Sequence, residues 1–176
     1  MKKKILIILI MLLLVIIGIV IASKFLLNKN EKEILSVLKD LDYSLKNPPD
    51  FEDNIIRIRP TEPISLKEYI HNISEARKIQ NENGSFTFLF KVFLDENYET
   101  ILVVTNGELI GMTINAEILE KADVNENAES EENFGDTFSN MLQQTFITKM
   151  NESITEKWNS AIVVENVNFT KVLNKI

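Results

Sequence analysis

His71 is the only histidine in the chain, and cysteine is absent. A triad that uses an imidazole must therefore be built on that one ring. A zinc site would lack both its usual thiolates and a second imidazole. No nucleophile motif surrounds His71, so a structural histidine is the expected role. Asp123-x-Asn125-x-Asn127 opens like an EF-hand calcium loop. That loop needs glycine at its sixth position and a bidentate glutamate at its twelfth, and here those positions hold Ala128 and Phe134. Residues 123–133 therefore read as a solvated acidic loop. Acids distant in sequence can pair for glycoside hydrolysis, but among 26 acidic residues some meet by chance. Five scattered glycines form no phosphate-cradling loop. Phe86, Phe88 and Phe90 alternate and could line a groove, although alternating aromatics more commonly build a core. Trp158 is either a core residue or a binding anchor. No catalytic, cofactor-binding or metal-ligating residue is assigned, no cofactor is expected, and the chain is read as a non-enzyme.

The strongest signal is physical rather than chemical. Residues 5–22 (ILIILIMLLLVIIGIVIA) form an unbroken apolar run. As a helix this run is roughly 27 Å long, close to the thickness of a bilayer core. A helix also satisfies every backbone polar group inside lipid. Lys2, Lys3 and Lys4 crowd before it, while Lys24, Lys29 and Lys32 are spread out behind it. The positive-inside rule then puts residues 1–4 in the cytoplasm as a basic tip and the main domain outside. The run is too long for a signal-peptide core and lacks a polar stretch before a cut at Ser23. A retained single-pass signal-anchor at 5–23 is favoured over a cleaved leader.

The whole chain carries a net charge of −7. Setting aside the three lysines of the tip leaves 16 basic against 26 acidic residues. Such a domain is a poor partner for nucleic acid, which needs a basic face. Without cysteine it has no disulfides, so an exported domain must rely on its apolar core. The Ile-, Lys- and Asn-heavy vocabulary looks like that of an AT-rich bacterial genome.

Periodicity supplies the elements that would position any site. Ile34, Leu38, Leu41 and Leu45 form one helical stripe, so residues 24–47 read as a first helix, or stalk, running on from the anchor. Pro48-Pro49 ends it. The stripe is short for a dimer seam, and packing on its own domain is expected. A short strand is expected at 55–59. Ser65-Leu66-Lys67-Glu68 is a capping box, and the spacing of Leu66, Ile70, Ile73 and Ala76 predicts a helix from there to about Gln80. Three strands follow at 86–94, 100–105 and 108–114, with Asn106-Gly107 as a two-residue hairpin turn. Apolar residues on both faces of the first of these make it central. A short helix is expected at 116–122, a long one at about 137–158 starting from Asp136, and a last strand at about 161–172.

The order predicts an α+β fold: a single N-terminal transmembrane helix, then a small domain at 48–176 with an antiparallel meander of four to five strands packed against helices. This order resembles, in architecture only, pilin-type subunits and the helix-then-meander domains of membrane-anchored conjugation or secretion components. It lacks the peptidase site and early glutamate of pilins, and the resemblance assigns no residue. The expected function is a non-catalytic interaction or assembly module of the bacterial cell envelope, anchored in the cell membrane, with a protein partner or self-association. An outer-leaflet domain that binds lipid or another hydrophobic ligand is the alternative. In that reading the Phe-rich strand and the Phe- and Met-rich last long helix enclose a cavity. An uncharacterised hydrolase comes last.

Overall fold

The computed structural model describes residues 11–16, 26–48, 62–94, 97–114 and 134–176, and of 134–143 only the backbone. It is α+β, with one five-stranded antiparallel sheet and helices on both of its faces. The expected strand at 55–59, helix at 116–122 and acidic loop at 123–133 lie outside the described residues. So does most of the 5–22 run. Residues 11–16 are described as helical, with every side chain between 48% and 62% exposed. Among the described residues no helix is long and apolar enough to cross a membrane.

Helix α1 (Lys29–Lys46) starts at a capping box. Asn28 Oδ1 accepts the Glu31 N–H at 2.9 Å, and Glu31 Oε2 accepts the Asn28 N–H at 2.8 Å. Because Leu26–Asn28 are not helical, α1 begins afresh and is not a continuous stalk from the apolar run. Its stripe of Ile34, Leu38, Leu41 and Leu45 is buried in the domain's own core.

The helix expected from Ser65 to about Gln80 is corrected. Only one turn forms, α2 (Leu66–Tyr69), held by the expected capping box on Ser65. The chain then extends into strand β1 (Asn72–Gln80). A β-bulge explains the misleading spacing. The register passes from Ile73↔Val92 to Glu75↔Lys91, leaving Ser74 as the extra residue. Ile73 and Ala76 therefore face the same core while three positions apart, which imitates a helical repeat.

Strands β2 (Phe86–Phe93), β3 (Glu99–Thr105) and β4 (Glu108–Met112) form the expected meander. Asn106 at φ 52° and Gly107 at φ 76° make the hairpin turn between β3 and β4. Helix α3 (Phe134–Ser160) leads to β5 (Ile162–Val163). The last strand expected over 161–172 is thus only two residues long. Asn166 adopts a left-handed φ of 59° and turns the chain away. Asn168 then caps helix α4 (Phe169–Leu173) by accepting the Lys171 N–H at 2.9 Å.

The strand order is β4-β3-β2-β1-β5, which places β2 in the interior as expected. One sheet face carries Phe88, Phe90, Val92, Leu102 and Val104 against α1, α2 and α4. The other carries Leu89 and Val103 against Ile154 and Trp158 of α3. Alternation along β2 supplies both cores from one strand.

Candidate functional site

A polar network spanning distant parts of the chain lies where the described domain begins. Glu31, on the first turn of α1, is 3% exposed. Besides closing the capping box, it accepts the Asn168 N–H at 3.3 Å and the Lys171 ammonium at 3.1 Å. Lys171 Nζ also donates to the Leu26 carbonyl at 2.7 Å. Asn28 Nδ2 donates to the Asn166 carbonyl at 2.7 Å, and Asn30 Nδ2 to the Glu165 carbonyl at 2.9 Å. The first residues of the domain are thereby clasped to 165–171. Burial pushes the Glu31 carboxyl up, but the Asn28 N–H, the Lys171 ammonium and the Asn168 N–H outweigh it and hold the group below its ordinary range. A deprotonated acid fully engaged by donors is suited to holding parts together, not to proton transfer.

One sequence signal belongs to this clasp: Asn28-x-x-Glu31 is a capping-box pattern shortly after the apolar run. Nothing local in the sequence pairs Glu31 with Lys171.

A second cluster lies on the α3 side of the sheet. The Arg77 guanidinium stands 4.5 Å from the Trp158 ring centroid, and Lys91 Nζ 5.4 Å from it. Arg77 Nε donates to Glu75 Oε1 at 2.6 Å, and its Nη1 to the Trp158 carbonyl at 2.9 Å. Trp158 is 6% exposed, so the structure uses it as core under two cations. Next to it an open cleft of about 300 Å³ is lined by Lys91, Glu99, Thr113, Asn151 and Thr155 among others. Lys91 is paired with Glu99 at 3.6 Å. The Asn151 side chain is engaged too, bonding the Ile114 N–H at 2.9 Å and C=O at 2.7 Å.

His71 is exposed at the start of β1, where its N–H donates to the Phe93 carbonyl at 2.7 Å. It borders a shallow cleft of about 220 Å³ with Lys67, Asn72 and Thr170. Lysine, asparagine and threonine beside one imidazole provide no carboxylate to orient it. Among the described residues no group of acids and histidines is placed to hold a metal ion. The EF-hand-like start at Asp123 lies outside the described residues.

Among the described side chains, Phe88 and Phe90 of β2 and the buried apolar residues of α3 lie on opposite faces of the sheet. Phe88 and Phe90 stack at 6.1 Å on the α1 face, whereas Met150, Ile154 and Trp158 of α3 pack on the opposite face. The sheet itself lies between them. Comparison of the chain with protein-family models, with curated proteins and with solved structures finds no match.

Proposed function

We propose that this is a single-pass, membrane-anchored protein whose α+β domain works outside the cytoplasm as a non-catalytic interaction or assembly module of a bacterial cell envelope. The observation that carries the reading is the apolar run at 5–22, behind three lysines and directly ahead of the clasped domain start. The exposed apolar side chains of residues 11–16 suit a helix whose solvent is lipid. The clasp adds a mechanical role. It ties the residues that follow the anchor to the far end of the chain, so a pull on the anchor is shared by α1, α4 and the segment between β5 and α4.

The test is a topology experiment on the full chain in bacterial cells. The protein is expected to resist alkaline extraction from membranes, and a C-terminal reporter is expected to be active only outside the cytoplasm. Release into the soluble fraction, or a cytoplasmic reporter, overturns the anchored reading. Site-specific photocrosslinking in the membrane then tests the module reading. Crosslinks confined to lipid, with none to this chain or to another protein, overturn it.

A further inference from the structure

Two large apolar side chains stand exposed on the outermost strand. Ile162 is 71% and Val163 44% exposed. Neighbouring strand residues point to opposite sheet faces, so the surface that covers both is one that meets the sheet edge-on. This edge lies near Leu26–Asn30, the first described residues after the apolar run. Asn30 of α1 bonds the Glu165 carbonyl, two residues beyond Val163. Glu33 of α1 bonds Lys78 Nζ at 2.8 Å, and Lys78 is the β1 residue paired with Ile162. Leu26, 69% exposed, enters the same corner through Lys171. Lys29 and Lys32, on the first turn of α1, are exposed as well.

We infer that the β5 edge, Ile162 and Val163, is a second membrane contact that rests in the interfacial layer of the bilayer holding residues 5–22. The inference deepens the anchored reading and depends on it. A tether ending at Leu26 keeps this corner at the lipid surface, so the apolar pair meets lipid at high effective concentration. Lysine stems can lie along apolar surface while their heads reach the phosphate layer. A second copy is the weaker occupant. β5 is only two residues long, so strand addition would gain almost no backbone pairing, whereas lipid requires none.

The chain has no cysteine, so single-cysteine labels can be placed without background. The full-length protein would be reconstituted in phosphatidylcholine vesicles carrying an environment-sensitive fluorophore at Leu14→Cys, Ile162→Cys, Val163→Cys or Ile110→Cys. Ile110 is the control. It is 49% exposed on β4, at the opposite sheet edge, and four strand spacings put it about 19 Å from β5. Labels at 162 and 163 are expected to be quenched by nitroxide-bearing lipid, and the label at 110 only by aqueous iodide. With position 14 quenched by lipid, quenching at 162 and 163 by iodide alone overturns the inference and leaves the anchor standing. Shielding of 162 and 163 from both quenchers also overturns it, in favour of a second copy or a protein partner. A label at 14 reached by iodide removes the anchored reading and this inference with it.

Discussion

The Glu31 carboxylate and the Lys171 ammonium, 140 residues apart in sequence, lie 3.1 Å apart and close the domain on itself. The acid's surface is almost fully covered and the base partly covered, so the pair is less screened than an exposed ion pair. Glu31→Gln keeps the shape and removes the charge. It is expected to lower unfolding stability by about 2 kcal/mol, the scale of hydrogen bonds to a charged group. Urea unfolding of the full chain in detergent measures this. Hydrogen exchange should quicken at the Asn28 and Asn168 amides before it does in β2, and equal protection at those amides would argue against the clasp.

Acid should weaken the domain through carboxylates held low in the fold: exposed Glu68, lowered by the Ser65 hydroxyl and N–H, and the more covered Glu31 and Asp42. Glu31 and Asp42 are both held below their ordinary values of 4.5 and 3.8. At Asp42 burial again pushes up, and the Lys46 ammonium and the Leu66 N–H outweigh it. A folded-state pKa below the unfolded one means the folded state holds its proton less tightly. The stabilisation is therefore complete above the ordinary values and is lost as pH falls through the lowered ones. Thermal midpoints should be flat between pH 6 and about pH 5 and fall below about pH 4.5. A Glu31→Gln, Asp42→Asn variant should show a shallower acid limb.

Gly107 is required by its place as well as by its backbone. Its φ is 76°, and a Cβ there would overlap Asp40 at Cβ and crowd that residue's backbone. Gly107→Ala should cost about 2 kcal/mol, from a strained left-handed alanine and a displaced α1. Denaturant midpoints of Gly107→Ala and Gly84→Ala check this. Gly84 also has positive φ, at 83°, but has open space around it, and it should lose less.

Trp158 is the only tryptophan, so its fluorescence reports the α3 face directly. Its emission should be blue-shifted and poorly quenched by acrylamide, and should move to the red on unfolding. Trp158→Ala removes the ring beneath Arg77 and Lys91 and the support of Leu89. A loss of about 3–5 kcal/mol is expected, the range for truncating a buried large aromatic. Trp158→Phe should recover most of it, and calorimetry of the two variants separates packing from a surface role.

Local chemistry alone determined several parts of this protein. The apolar run at 5–22 follows from composition, and the α1 stripe from its four buried positions at helical spacing. Alternation in 86–94 marks a strand with two covered faces. Asn106-Gly107 marks the hairpin between β3 and β4 because few other pairs accept positive φ twice. Each is a pattern whose cause lies within a few residues.

Tertiary structure decided the rest. Residues 70–80 have a helical spacing of apolar side chains, but the free edge of β2 supplies backbone partners and the Ser74 bulge realigns Ile73 with Ala76. Residues 161–172 carry strand-like alternation, yet Asn166 turns the chain and lets Asn168 start a helix that brings Lys171 to Glu31. Which sheet face α3 covers, and so whether the phenylalanines of β2 meet it, depends on packing between elements and has no local signature. Long-range pairing of this kind is set by the burial of both faces at once, a property of the assembled core and not of any segment within it.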